Sequence, residues 1–311
     1  MNTTLSPLVL GFPGNEQLAD TLAGALLGER SALALHQFPD GETRVGVSRP
    51  VAGRDVVLAC TLDHPNDKLV TLYLAASNLR ELGARRVVLV APYLPYMRQD
   101  KRFHPGEGVS ASYIANWLSG FLDGLVTVDP HLHRIHHLNQ IYRIPTRVVH
   151  AAEPLGRWIR ARVAHPVVIG PDAESRQWAS EVAATVSCPY FVLNKVRHGD
   201  RNVEVRLGDV TQFQQCTPVL VDDIVSSGHT MMAAMEQLRA HGFSPAVCVG
   251  VHALLSPDTA DQLRQQGAQA VVTCNTVHHA SNVIDLHRPL AAAAADLLGL
   301  QPAPGAVGDD L

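Results

Sequence analysis

At 311 residues, 46% of them hydrophobic, the chain is too long for one average domain and has apolar material for two buried cores. Its formal charge of −4 at pH 7 excludes a general nucleic-acid binder, which needs a basic surplus to neutralise phosphates. No run reaches the ~18 apolar residues of a membrane helix, and the five cysteines (Cys60, Cys188, Cys216, Cys248, Cys274) contain no Cys-x-x-Cys pair, so they read as buried thiols of a reducing compartment.

In chain order, Phe38-Pro39-Asp40-Gly41-Glu42 centres on an Asp-Gly turn. Leu69, Leu72, Tyr73 and Ala76 recur at helical spacing, with Gly83 closing the helix. The apolar strand Arg86–Pro92 follows and runs into a basic group, Arg98, Lys101 and Arg102. Ile114, Trp117, Leu118 and Phe121 predict a second helix ended by Gly124, and Leu125–Asp129 the next strand. The stretch from His131 to His137 holds four histidines. A zinc site is rejected there, because His133, His136 and His137 lack partners at recognisable spacing elsewhere.

The second half repeats the alternation. Strands are predicted at Pro166–Asp172, Pro218–Asp222, Ala246–Gly250 and Ala270–Asn275, with a helix through Met231, Met235 and Leu238 closed by Gly242. Apolar strands alternating with helices predict an α/β protein of two doubly wound domains with parallel sheets. The boundary falls between His150 and Trp158, giving residues 1–150, residues 151–295 and a tail at 296–311 whose Pro/Gly/Ala-rich end, Gln301–Leu311, reads as loose.

The densest chemistry lies in Pro218-Val-Leu-Val-Asp222-Asp223-Ile-Val-Ser226-Ser227-Gly228-His229-Thr230. A buried strand would carry the two carboxylates to the carboxyl edge of a parallel sheet, where they can accept hydrogen bonds from vicinal ribose hydroxyls. Small residues then let backbone N–H groups turn inward, Ser227 and Thr230 add hydroxyls, and a helix N-terminus favours an anion. Taken alone, the segment also suits a nucleotidase or receiver-type metal site.

This segment resembles the ribose-phosphate loop of type I phosphoribosyltransferases. Phe38–Glu42, Pro92–Arg102, Thr127–His131, Gly170-Pro171-Asp172 and Asn194-Lys195-Val196-Arg197 narrow the likeness to the ribose-phosphate diphosphokinase family, over roughly residues 8 to 295. The resemblance implies transfer of the β,γ-diphosphoryl group of ATP to the 1-hydroxyl of ribose 5-phosphate. It implies Lys195 and Arg197 as catalytic cations on a flexible loop, with Arg197 also meeting ribose 5-phosphate. It implies Mg2+ held with His131 and Asp172, and ATP contacts from Phe38, Asp40, Gly41, Glu42, Arg98 and Gln99. Ribose 5-phosphate would meet Asp222, Asp223, Ser226, Ser227, Gly228, His229 and Thr230. In the family the Phe38–Glu42 turn approaches adenine from a neighbouring subunit, which implies a homo-oligomer. With no charged leader at the N-terminus, the expected enzyme is soluble and cytoplasmic, with neither a nucleic acid nor a membrane as partner. The competing roles are a catalytically silent regulatory homologue and a phosphoribosyltransferase.

Two departures stand out. His229 replaces the second glycine of the family's phosphate loop and Ser227 its threonine, so His229 must tolerate the local backbone and leave room for phosphate. Ala173-Glu174-Ser175 replaces a small glycine-containing loop, and Glu174 would repel a diphosphate unless it turned away or met metal.

Overall fold

The computed structural model describes residues 5–193, 195–198, 202–205 and 210–303, the strand residues 195–198 and 202–205 by their backbone alone. They form two compact units, Met1–Val149 with His287–Leu311, and His150–Leu286.

The first unit opens with β1 (Leu8–Gly11), α1 (Glu16–Ala25), β2 (Glu29–Gln37), β3 (Thr43–Val47), β4 (Asp55–Ala59) and α2 (Pro65–Glu81). β5 (Arg86–Ala91), α3 (Ser110–Leu118), β6 (Gly124–Val128) and β7 (Thr146–Val149) follow. Its seven strands run in the order β3-β2-β1-β4-β5-β6-β7, parallel except for the β2–β3 hairpin. Residues of β4, β5 and β6 such as Leu58, Leu89 and Leu125 are wholly buried, as expected of strands covered on both faces.

Gly83 ends α2 with φ +86°, and the bond from Ala84 N to Leu79 O closes the helix end there. Two expectations fail. Tyr73 is 42% exposed, because the buried stripe of α2 follows Leu69, Leu72, Ala76 and Leu79, and Tyr73 packs edge-on to Phe121 instead. α3 stops at Leu118 and leaves Trp117 partly exposed. Gly124 does not cap α3; it begins β6, where a Cβ would sit 2.6 Å from Leu297 Cδ2.

At the amino edge of the first sheet, the wholly buried Asp55 takes guanidinium bonds from Arg85 Nε at 2.7 Å and Arg86 Nε at 3.0 Å. Burial works to raise this carboxyl, but the two cations outweigh it and hold it at about 2. The folded value lies below the unfolded one, so the pair stabilises fully above about pH 4 and loses its contribution as pH falls toward 2. Asp55→Ala strands two cations beside the core and is expected to cost about 3 kcal/mol in denaturant unfolding at pH 7, with the difference shrinking in acid.

The second unit contains α4 (Ala152–Arg162), β8 (Pro166–Gly170), α5 (Arg176–Val186), β9 (Tyr190–Val192), β10 (Lys195–His198), β11 (Asn202–Val205) and β12 (Thr217–Val225). α6 (His229–Ala240), β13 (Val247–Ala253), α7 (Pro257–Gln265), β14 (Ala270–Cys274) and β15 (Asn282–Ile284) complete it. Six strands run parallel in the order β15-β14-β13-β12-β8-β9, while β10 and β11 form a separate antiparallel hairpin. Gly242 ends α6 with φ +81°, the bond from Phe243 N to Leu238 O sealing the turn.

The last helix, α8 (His287–Leu298), belongs to the first unit, whereas the sequence reading gave residues 151–295 to the second domain and 296–311 to a tail. Its Leu290, Ala291, Ala294, Ala295 and Leu298 are buried, and Arg86 Nη2 donates to Leu298 O at 2.9 Å. Of the cysteines, Cys60, Cys248 and Cys274 are buried as expected, while Cys188 and Cys216 are only half-buried. No described helix is long and apolar enough to cross a membrane.

Candidate active site

Several of the predicted residues follow the carboxyl ends of parallel strands, where open α/β sheets form crevices, while Asp222 and Asp223 stand on β12 itself and Lys195 and Arg197 on the separate β10–β11 hairpin. β12 carries the carboxylates of the second unit. Asp223 is buried and its Oδ1 accepts the Ile224 N–H at 2.8 Å. Asp222 Oδ1 accepts the Asp223 N–H at 3.1 Å. Burial, then the charges of Asp223 and Asp172, push the Asp222 carboxyl well above the usual range, so three acidic side chains share this edge. Carboxylates crowded in this way suit a hydroxyl-rich ligand or a dication, either of which relieves their mutual repulsion.

Beyond β12, Ser226 is half-buried and Ser227 exposed before Gly228 turns with φ +70°. A Cβ on Gly228 would meet Thr259 Cγ2 at 2.8 Å, so both backbone and space require glycine there. Gly228 is the N-cap of α6 and no side chain caps the helix, which leaves its leading N–H groups available to an anion. The glycine-requiring conformation lies at 228. His229 is already the first helical residue and is exposed, so its side chain costs the loop no strain. Thr230 follows it, half-buried.

Asp172 sits just past the end of β8. Its Oδ1 accepts the N–H groups of Glu174 at 3.0 Å and Ser175 at 3.2 Å, while Ser175 Oγ donates to Asp172 O at 2.6 Å. This turn leads into α5, engages the backbone N–H of Glu174 and leaves its side chain exposed. Lys195 and Arg197 lie on β10, opposite Val205 and Val203, so the segment predicted as a flexible loop has strand backbone at both positions. Their side chains, with residues 199–201, lie outside the described ones.

In the first unit, the Phe38–Glu42 turn joins β2 to β3. Gly41 takes φ +93°, Phe38 N donates to Glu42 O at 2.8 Å, and Asp40 Oδ1 accepts the Glu42 N–H at 3.1 Å. Phe38 is 39% exposed at this tip, its ring 4.7 Å from that of His36.

The loop after β5 is fastened at several points. Tyr96 OH donates to Asn66 on α2, Met97 is buried, Ala111 N donates to Gln99 O at 3.3 Å, and Ser110 Oγ donates to Gln99 Oε1. Lys101 lies over the Phe103 ring and Arg102 Nε donates to Glu107 O at 3.0 Å. Arg98, exposed, makes no ion pair among the described residues.

His131 follows β6, half-buried, with its ring 4.3 Å from that of His133. Backbone strain concentrates at this edge: of the seven non-glycine residues with positive φ among the described residues, four (His64, Tyr96, Asp129 and His131) lie on loops leaving β4, β5 and β6. Such strain costs of order 1–3 kcal/mol per residue and gathers at functional sites. Sequence reasoning missed it, since no motif marks a non-glycine residue for φ > 0.

Residues 8–121 match the family described as the N-terminal domain of ribose phosphate pyrophosphokinase, and residues 137–288 match the phosphoribosyl transferase domain. The chain is similar to a ribose-phosphate pyrophosphokinase of Methanopyrus kandleri, 34% identical over 94% of this chain and 100% of that protein. A protein of the same name from Methanobrevibacter smithii is 28% identical over 93% of this chain and 100% of its own length. Among solved structures, phosphoribosylpyrophosphate synthetase from Mycobacterium smegmatis superposes with a TM-score of 0.83 at 24% identity, over 94% of this chain and 99% of that one, a likeness of fold.

Proposed function

The chain belongs to the ribose-phosphate pyrophosphokinase family, and from that premise we propose that it moves the β,γ-diphosphoryl group of ATP to the 1-hydroxyl of ribose 5-phosphate, releasing AMP. The observation that carries this reading is the carboxyl-terminal half of β12, where Asp222 and Asp223 precede Val225, a short serine-glycine loop and the uncapped N-terminus of α6. Asp222 and Asp223 accept the ribose hydroxyls. Ser226, Ser227, Gly228, His229 and Thr230 surround the phosphate, with backbone N–H groups giving most of the donors. In the first unit, Arg98 gives a guanidinium fork to the ATP phosphates and Gln99 lies beside it.

Diphosphoryl transfer needs no covalent intermediate. It needs alignment of the attacking and leaving oxygens and cations around the phosphorus. Lys195 and Arg197 supply those cations, with Arg197 also meeting the sugar phosphate. Mg2+ fits the donors present, because Asp172 keeps one carboxylate oxygen outside its turn and adds to an acidic cluster that a dication would relieve. His131 is the first unit's contact. When bound, the ion neutralises charge on the phosphate oxygens.

The exposed Phe38 with Asp40, Gly41 and Glu42 forms an adenine-stacking tip, ring on base and carboxylates toward the amino group, that reaches a neighbouring subunit. The active unit is then at least a dimer, acting in the cytoplasm. The test is to mix protein, ATP, ribose 5-phosphate and magnesium. AMP should form only when ribose 5-phosphate is present. Absence of AMP across metals would favour a silent homologue, and pyrophosphate release with a nucleobase a transferase.

A further inference from the structure

In the first unit, one ion pair joins the two loops that carry the nucleotide-facing residues. β5 and β6 are neighbours in the sheet, so their following loops leave the same edge side by side. Arg134, three residues past His131, donates from Nη1 to Asp100 Oδ1 at 3.0 Å and Oδ2 at 3.2 Å, and from its backbone N–H to Oδ2 at 3.3 Å. Asp100 lies two residues past Arg98. Its side chain is only 5% exposed, against 48% for Arg134.

A surface ion pair would be worth little. Here the carboxylate is withdrawn from water and its described donors all come from Arg134, so loss of the guanidinium leaves a buried charge with one backbone donor. The other anchors of the first loop, at Tyr96 and Gln99, tie it to α2 and α3, away from the His131 loop. The backbone on both sides of the bridge is strained, with φ +65° at Tyr96 and +49° at His131, and strained segments keep their shape only when surrounding contacts enforce it.

We propose that Asp100–Arg134 is a positioning latch. It holds the arm carrying Arg98 in register with the arm carrying His131, so that a nucleotide polyphosphate and its cation meet both at once. Arg134 touches neither reactant; it acts through Asp100. This inference rests on the reaction proposed above, and the latch lies wholly within the first unit, so its effect should fall on ATP and spare ribose 5-phosphate.

The test uses the full chain as Arg134→Gln, which keeps the backbone bond to Asp100 and removes the guanidinium, as Asp100→Asn, and as the double variant. Arg134→Gln should raise the KM for ATP roughly tenfold or more while the KM for ribose 5-phosphate stays within about twofold. The double variant should be no worse than the worse single change, because both break one link. Arg134→Lys should restore part of the loss, giving a point charge without the fork. An unchanged KM for ATP, equal rises for both substrates, or additive losses would overturn the latch. A wild type that forms no AMP would sink the reaction assignment instead. Calorimetric titration with magnesium–ATP would then read the latch alone: weaker binding in Arg134→Gln supports it and equal binding refutes it.

Discussion

Lys195→Ala is expected to lower the rate of AMP formation by about a thousandfold, in line with removing a cation that acts chiefly on the transition state. Charge on the transferred group spreads over its outer oxygens as the bridging bond breaks, so the gain from a fixed ammonium is larger at the barrier than in the ground state. The KM values should move far less than the turnover. Stability should hardly change, because Lys195 stands on the β10–β11 hairpin, which pairs with neither main sheet. Steady-state assays beside thermal melts check both halves. A rate within tenfold of wild type would mean that the catalytic cations lie elsewhere.

Asp222→Asn should separate function from stability. An amide accepts fewer hydroxyl hydrogen bonds than a carboxylate, so the KM for ribose 5-phosphate should rise roughly tenfold or more. The fold should gain. Burial, with the charges of Asp223 and Asp172, raises the Asp222 carboxyl in the folded state. A raised carboxyl stabilises fully below its unfolded value of about 4, and that contribution is lost as pH climbs through the folded value. The asparagine variant has no such loss, so without substrate and in a chelating buffer it should melt above wild type by a margin that widens from about pH 4 upward. A margin independent of pH, or a lower melting point at neutral pH, would contradict the crowding of the three carboxylates.

If both results hold, the Asp222 site exchanges stability for recognition, as binding sites commonly do. That exchange was half legible in the sequence. The apolar run into Asp222-Asp223 identified the strand, since a buried parallel strand has a continuous apolar signature, but not its end: β12 runs on through both carboxylates to Val225, still paired with β13. Asp172 was marked by resemblance as a metal contact with His131, whereas its electrostatic link to Asp222 is a tertiary fact.

The structure adds local detail at the two departures. Counting glycines suggested trouble at His229, but the left-handed backbone belongs to Gly228 and position 229 is helical. Glu174 seemed to threaten a diphosphate, yet local hydrogen bonding to Asp172 decides the turn and leaves it at the surface. Neither outcome can be derived from residue type, because each depends on which neighbour takes which φ or which N–H.

Periodicity located α2 and α6 and their closing glycines, Gly83 and Gly242. It misassigned Tyr73, where one step around the helix separates the buried stripe from an aromatic surface contact. It also could not send α8 back to the first unit. That return rests on contacts such as Arg147 Nε to Asp296 Oδ2 at 2.5 Å, made across the whole of the second unit's sequence. The Asp100–Arg134 pair escaped notice for the same reason: the partners are 34 positions apart, and each sits in a motif read for something else.

The account depends on ribose 5-phosphate binding at the tip of β12, which backbone amide chemical shifts can test without turnover. Titration with ribose 5-phosphate should shift the amides of Ser226 to Thr230 and of Asp223 first and most strongly, to saturation. If those signals stay fixed while others move, or if the compound binds with no change there, the proposed site and the reaction built on it are wrong.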